Sequence, residues 1–176
     1  SFLMFGFVPE GQCIYEGWGK LPPGACATVD LARGGDLAVE RYWRLEVAPD
    51  PSISFAAARD SVMNVLGEAV ALRLRADVPI ASFLSGGLDS GVVTALAARA
   101  HPDLRALHVT FADGSPERDL ARASAAASGV ALREVAVDAA AGLGALPELA
   151  TVFDEPLADA SCIPTLLLAR AARASA

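Results

Sequence analysis

The spacing of apolar residues changes near residue 54. Before it, short apolar pieces such as Ala27–Leu31 and Leu37–Glu40 alternate with turns rich in glycine and proline. That alternation is typical of short antiparallel strands, which are too few here to be stable alone. After it, apolar positions recur every three or four residues to about Ala76, which predicts a long helix. The pattern predicts three segments: the tail of a larger β-containing unit at 1–48, a linker at 49–53, and an α/β domain at 54–176.

Predicted strands and helices alternate through the rest of the chain. Apolar stretches predict strands at 78–84, 105–111 and 131–137. Helical spacing, with proline at starts and glycine at ends, predicts helices at 88–100, 116–128, 144–152 and from about 164 to the chain end. This alternation favours the α/β class, with a mainly parallel, doubly wound sheet and helices on both faces.

Composition narrows the class of partner. The chain has 176 residues, is 53% hydrophobic and carries a net charge of −7, so a general nucleic-acid partner is disfavoured. No apolar run approaches the roughly 18–20 residues that span a bilayer. Cys13, Cys26 and Cys162 form no CxxC pair, which suits a reducing compartment. We therefore expect a cytoplasmic protein that acts on small molecules, without nucleic acid or a membrane.

The candidate chemistry lies in the loop that follows the predicted strand at 78–84. Its sequence is Ser85-Gly86-Gly87-Leu88-Asp89-Ser90. Ligands of doubly wound sheets bind beyond the carboxyl ends of strands. The two glycines let backbone N–H groups approach an anion, the serines add hydroxyl donors, and the next helix presents its positive end. The carboxylate of Asp89 would repel phosphates unless a cation lay between them, and Mg²⁺ is the natural choice.

The loop differs from the two commoner phosphate loops. The lysine of G-x-x-x-x-G-K-[ST] and the G-x-G-x-x-G pattern after the first strand are both absent from it. A purely structural alternative is a glycine-rich connection capped by Asp89 or Ser90. His101 and His108 have no partner pattern and are interpreted as structural, and Glu117 and Asp119 as residues that cap a helix.

Four parts of the sequence resemble one family. Ile80–Ser90 resembles the pyrophosphate-binding loop of ATP pyrophosphatases and, more narrowly, that of glutamine-hydrolysing asparagine synthases. Two other parts resemble the end of that family's glutaminase domain and its exit into the linker: Phe5–Pro9 with Gly17 and Leu21–Gly24, then Arg41–Trp43. A fourth part resembles the family's DEP(F/L)AD-x-S-x-IP segment: Phe153–Asp159 with Ser161 and Ile163–Pro164. The resemblance covers essentially the whole chain in the same order.

The resemblance implies an enzyme with two sites. A glutaminase domain releases ammonia from glutamine, and a synthetase domain uses ATP and Mg²⁺ to adenylate a carboxylate, classically that of aspartate. Pyrophosphate leaves, and ammonia attacks the acyl-adenylate to give an amide and AMP. The implied fold is similar to that of adenine nucleotide hydrolases, and a homodimer is compatible with it.

The resemblance also implies roles for individual residues. It assigns the pyrophosphate portion of ATP to five loop residues: Ser85, Gly86, Gly87, Asp89 and Ser90. Asp89 would bind Mg²⁺ and is the expected catalytic residue. Leu84 and Thr110 fall where the family uses backbone groups to contact the nucleoside. Asp154, Glu155 and Ser161 could line the substrate pocket. The alternative is that Asp159 or Ser161 caps the helix that follows, and the sequence leaves both interpretations open.

Two parts of the family pattern are not in this sequence. The chain begins at Ser1 rather than at the cysteine of a glutaminase, and it contains no second loop of the form S-G-[DE]-G-x-D-E. We therefore expect a fragment that is inactive alone. Two alternatives stay open: a β-lactam-forming or peptide-cyclising synthetase of the same plan, and a nucleotide-binding module without catalysis. Sulfur transfer to tRNA is disfavoured by the acidic charge and the missing CxxC.

Overall fold

An antiparallel hairpin dominates the first of two compact units. The structure is a computed structural model that describes residues 1–111 and 116–174, without the side chain of Arg33. One unit comprises Ser1–Ser52 with Ala150–Asp159, and the other Ile53–Leu149 with the residues from Ala160 onward. The first unit contains helix α1 (Phe2–Phe5) and the paired strands β1 (Ala25–Asp30) and β2 (Asp36–Arg41). The predicted boundaries at 48 and 54 stay a prediction, because compactness alone does not define domains.

The second unit is built on a parallel sheet. Its strands are β3 (Ala81–Phe83), β4 (Arg105–Phe111) and β5 (Ala131–Val137), in the order β3-β4-β5. Both pairings are parallel, with Ala81 beside Arg105 and Arg105 beside Ala131. The remaining helices are α2 (Phe55–Arg73), α3 (Leu88–Ala100), α4 (Pro116–Ser128), α5 (Ala139–Val152) and α6 (Cys162–Arg173). The predicted α/β class with a parallel sheet is confirmed.

Helices cover both faces of this sheet. Glu134 of β5 accepts hydrogen bonds from Arg118 of α4, whereas the adjacent Arg133 donates to the carbonyl of Ala171 in α6. Neighbouring side chains in a strand point to opposite faces, so α4 and α6 lie on opposite sides. Small buried residues on the α4 side, such as Ala106, Ala121 and Ala125, let the helices approach the sheet closely. No helix among the described residues is long and apolar enough to cross a membrane.

Four predicted elements have different bounds in the structure, among them α2, which ends at Arg73 rather than at about Ala76. β3 is shorter than the predicted 78–84 and ends at Phe83, where the chain turns into the loop. α5 begins at Ala139 rather than at 144, because the Asp138 carboxylate accepts the Ala141 N–H at 2.7 Å and caps an earlier turn. α6 begins at Cys162 rather than near 164, and its predicted continuation past Arg173 lies partly outside the described residues.

Candidate functional site

The loop at residues 85–90 joins the end of β3 to the start of α3. Because β3 and β4 are parallel, their carboxyl ends lie at the same edge of the sheet, and Thr110 is near the end of β4. Behind the loop, the hydroxyls of Ser82 and Thr94 lie 2.6 Å apart and join β3 to α3. The loop therefore occupies the edge at which ligands bind to sheets of this class.

The two glycines of the loop are required for different reasons. Gly86 has a φ of +89°, and a Cβ on it would lie 2.3 Å from the carbonyl oxygen of Glu117 in the first turn of α4. Any other residue there would meet both backbone strain and a clash. Gly87 has an extended backbone, with φ −75° and ψ 162°, and its nearest neighbour would be Ser85 Oγ at 3.3 Å. Packing within the protein therefore requires glycine at position 86 much more strictly than at position 87.

A closed set of hydrogen bonds shapes the loop. Ser90 Oγ accepts the Ser85 N–H at 3.2 Å and donates to the Gly87 carbonyl at 3.2 Å. Ser85 Oγ lies 2.9 Å from Ser90 Oγ and accepts the Gly87 N–H at 3.2 Å. Since a hydroxyl has one hydrogen and Ser90 uses its own on Gly87, Ser85 is the donor between the two serines. A phosphate oxygen that binds here would replace one of these internal acceptors, so that a donor of the loop bonds to the phosphate instead.

The start of α3 adds backbone donors and one carboxylate. Gly87 is the N-cap and, as a glycine, brings no capping side chain, so this cap leaves the first N–H groups of the helix to another acceptor such as an anion. Asp89 lies exposed in the first turn. Among the described residues, no group of three or more histidine, cysteine or acidic side chains is arranged to hold a metal ion. A single exposed carboxylate instead fits Mg²⁺ that is held mainly by phosphate oxygens and water.

Comparison with known proteins decides the family. The family model for asparagine synthase matches residues 61–176. The chain belongs to the asparagine synthase family. A Mycobacterium bovis protein, named provisionally as a glutamine-hydrolyzing asparagine synthetase, is 36% identical over 98% of this chain and 27% of its own length. Asparagine synthetase 1 (glutamine-hydrolyzing) of Bacillus subtilis is 31% identical over the same shares.

The matched relatives are much longer than this chain. The chain spans about a quarter, 27%, of the length of these two curated proteins. Among solved structures, a glutamine-dependent NAD+ synthetase from Acinetobacter baumannii, in complex with adenosine diphosphate, has a TM-score of 0.45 and 21% identity. That match covers 76% of this chain and 26% of the other.

Leu84, the residue that precedes the loop, is buried. It is 1% exposed, its N–H donates to the Leu107 carbonyl at 2.8 Å, and its own carbonyl accepts from His108 Nδ1 at 2.7 Å. A nucleoside contact through the Leu84 backbone would therefore use the second lone pair of that carbonyl. The interpretation of His108 as structural did not anticipate its contact with the residue that precedes the loop.

Helix α4 supports the loop from one side. The carbonyl of Glu117 lies against Gly86, and the next residue, Arg118, pairs with Glu134 of β5 at 2.7 Å. Arg122 pairs with the same carboxylate at 2.7 Å. The hydrogen bonds from Arg118 and then Arg122 lower the pKa of Glu134 to about 2. The carboxylate is thus ionised at neutral pH and fixes the first turn of α4 on the sheet.

The segment at 153–158 belongs to the first compact unit and is tied to its early residues. Glu155 Oε1 accepts the Ile14 N–H at 3.0 Å, and its other oxygen pairs with the Lys20 ammonium. The Lys20 side chain first, and the Ile14 N–H second, lower the pKa of Glu155. The Ala158 N–H also donates to the Gly6 carbonyl at 2.7 Å. Glu155 therefore joins distant parts of the chain, a role that the sequence does not predict.

Asp154 and Ser161 occupy different settings. Asp154 lines, with Glu155, a cavity of about 740 Å³ whose walls include Phe7, Tyr15 and Trp18. Ser161 is the N-cap of α6, but its side chain makes no capping hydrogen bond there. Ser161 therefore lies at the start of a helix, as predicted. The predicted capping hydrogen bond from its side chain is wrong.

A second cavity lies at the opposite end of the strands. It measures about 800 Å³ and is lined by residues at the amino ends of β3, β4 and β5, among them Ile80, Arg105 and Ala131. Ligands of parallel sheets bind at the carboxyl ends, so this cavity is not the counterpart of the loop. The candidate site is the exposed loop edge itself.

Proposed function

We propose that this chain carries the ATP-binding loop of an enzyme that forms an amide through an acyl-adenylate. The proposed substrates are aspartate, glutamine-derived ammonia and ATP, and the proposed products are asparagine, AMP and pyrophosphate. The observation that carries the proposal is the loop at 85–90, where Gly86 is closed against α4 and the open N-terminus of α3 faces the ligand edge. Family membership and the names of the relatives support the amide chemistry.

The chain's own groups would act on the departing pyrophosphate. Negative charge gathers on it as the acyl-adenylate forms, and donors that the fold holds close to it would stabilise that charge once a phosphate has replaced the internal acceptors of the loop. The N–H groups at Gly86, Gly87 and the start of α3, with the hydroxyls of Ser85 and Ser90, form that set of donors. Asp89 would hold Mg²⁺, which supplies charge neutralisation between the phosphates.

The reaction products provide the first test. We expect incubation with ATP, Mg²⁺, aspartate and ammonia of a protein that contains this segment to release AMP and pyrophosphate in equal amounts. Release of ADP and phosphate would contradict an acyl-adenylate and indicate an acyl-phosphate route. Turnover with another carboxylate but not with aspartate would keep the adenylate chemistry and replace the substrate.

An Asp89→Asn variant tests the proposed metal residue. We expect kcat to fall more than nucleotide affinity, because the metal contributes most where charge develops. Asp119→Asn is a matched control, since Asp119 also lies in the first turn of a helix but is not in the loop. An unchanged kcat in Asp89→Asn would contradict the role of Asp89.

A further inference from the structure

The imidazole of His108 lies against the last peptide before the loop. His108 is 4% exposed, and its Nδ1 is 2.7 Å from the carbonyl oxygen of Leu84. A carbonyl oxygen accepts hydrogen bonds and never donates them, so Nδ1 must carry the hydrogen. The ring is therefore a buried donor directed at the point where the chain leaves the sheet.

The peptide between Leu84 and Ser85 is held at both of its polar atoms. Its oxygen accepts from His108, and its N–H donates to Ser90 Oγ at 3.2 Å. A peptide unit is planar, so bonds to both atoms fix the orientation of the whole plane. That orientation sets the direction in which Ser85 and the glycines leave β3.

The side chain of His108 adds a hydrogen bond between β3 and β4 just beyond the point where their backbone pairing ends. The pairs of β3 with β4 finish at Phe83 and Leu107, and the Leu84 N–H adds one bond to the Leu107 carbonyl. The next residue on β4 is His108, and its side chain supplies the donor for the Leu84 carbonyl. Without that donor a buried carbonyl would be left unsatisfied, which proteins avoid.

A second support of the loop is connected to the residue that pairs with His108 on the neighbouring strand. His108 is paired in register with Glu134 on β5. Glu134 holds Arg118, and the carbonyl of the preceding Glu117 lies against Gly86. The loop is thus held at its entrance from β4 and at Gly86 by α4, and both supports meet at adjacent positions of the sheet.

We propose that His108 is a positioning residue of the phosphate loop. Its Nδ1–H orients the Leu84–Ser85 peptide, and through it the loop N–H groups that face the phosphates. The inference deepens the proposed function, on which it rests for the identity of the ligand. The orientation of the loop itself is measurable without any ligand.

Two substitutions separate the donor from the bulk of the ring. His108→Asn keeps a donor nitrogen attached to Cγ, whereas His108→Leu keeps a buried side chain without a donor. We expect hydrogen exchange at the Ser85 and Gly87 amides to be about tenfold faster in the leucine variant, the factor that corresponds to one lost hydrogen bond of ordinary net strength. The asparagine variant should remain near wild type, and amides of β5 should change in neither.

Measurements without a ligand test the positioning role of His108, and measurements of pyrophosphate binding test the proposed function. We expect ¹⁵N spectra of the wild-type chain to show Nδ1 of His108 protonated, and Mg²⁺–pyrophosphate to bind about tenfold more weakly to the leucine variant than to the asparagine variant. An unprotonated Nδ1, or equal loop exchange in both variants, would overturn the proposal. If exchange separates the variants while wild type binds neither pyrophosphate nor ATP, the proposed function fails and the positioning role stands.

Discussion

The loop at 85–90 and the segment at 153–158 are both short, but the hydrogen bonds that hold them span very different distances along the sequence. In the loop, Ser85, Gly87 and Ser90 bond one another across five residues or fewer. In the segment, Glu155 is bonded to the Ile14 N–H, 141 positions away. The loop combines these local bonds with two supports from outside it, His108 and the first turn of α4, whereas Glu155 ties the segment to residues far away in the sequence. Substitutions of the loop residues should therefore disturb neighbouring bonds first, whereas substitution of Lys20 should act on the segment at long range.

Gly86→Ala is expected to have the largest effect on the loop. The new Cβ would combine left-handed backbone strain with a 2.3 Å approach to the Glu117 carbonyl, and we expect a loss of roughly 2–4 kcal/mol in the free energy of unfolding. Gly129→Ala is the control, because Gly129 has a φ of +68° and a Cβ there would meet none of the described atoms within 4 Å, so strain acts alone there. Urea unfolding measures both. Equal losses would mean that contact with α4 does not constrain the loop.

Gly87→Ala should spare stability and reduce phosphate binding. Its backbone is extended and, among the described residues, its Cβ would meet Ser85 Oγ alone, at 3.3 Å, so we expect a change in unfolding free energy of about 1 kcal/mol or less. The methyl group would occupy the approach of an anion, and affinity for Mg²⁺–pyrophosphate should fall about tenfold. Calorimetric titration checks this, with Gly91→Ala, further along α3, as the control. Unchanged affinity would mean that the second glycine is not needed for the ligand.

Glu134→Gln should change the acid sensitivity of the unit that holds the loop. The folded pKa of Glu134, about 2, lies below its ordinary value of 4.5, so the unfolded chain binds more protons between these values. This contribution to stability is complete above pH 4.5 and is lost as pH falls toward 2. We expect the variant to show a shallower loss of stability over that window in acid titrations followed by circular dichroism. Identical slopes would show that Arg118 and Arg122 do not stabilise the folded carboxylate.

Lys20→Met tests the long-range attachment of the segment and should have the smallest effect. Lys20 is the main cause that lowers the pKa of Glu155, so its loss should release Glu155 and speed hydrogen exchange at the Ala158 N–H. Because the folded pKa of Glu155 is lowered, wild type should lose this attachment as pH falls below 4.5, and the variant should depend less on pH. Arg44→Met is the control, since the Arg44–Glu46 pair is exposed. Equal exchange in wild type and Lys20→Met would show that the pair does not hold the segment.

Local signals in the sequence predicted most of the second unit. The bounds of β4, α4 and β5 match the prediction, because Pro116 starts a helix, Gly129 ends it and apolar runs mark the strands. The position of the 85–90 loop between strand and helix followed from the same signals. The early start of α5 also had a signal in Asp138, an ordinary N-terminal cap.

Contacts between distant residues could not be predicted in the same way. Nothing near Glu155 in the sequence indicates Ile14 or Lys20, and a histidine within an apolar strand gives no sign of its acceptor. His108 becomes interpretable only when β3 and β4 are aligned, which places it beside Leu84. Local propensity therefore predicted the elements, whereas the supports of the loop depend on the register between strands.

The unequal ladders of the sheet bear on the order in which it assembles. β4 pairs with β5 from Arg105 to Phe111, whereas β3 pairs with β4 only from Ala81 to Phe83. The connections at 84–104 and 112–130 are of similar length, so closure entropy is nearly equal and the longer ladder is favoured. We expect β4, α4 and β5 to form the folding nucleus and β3 to join late. The loop would then acquire its shape after the transition state, and a bound phosphate would slow unfolding without speeding folding.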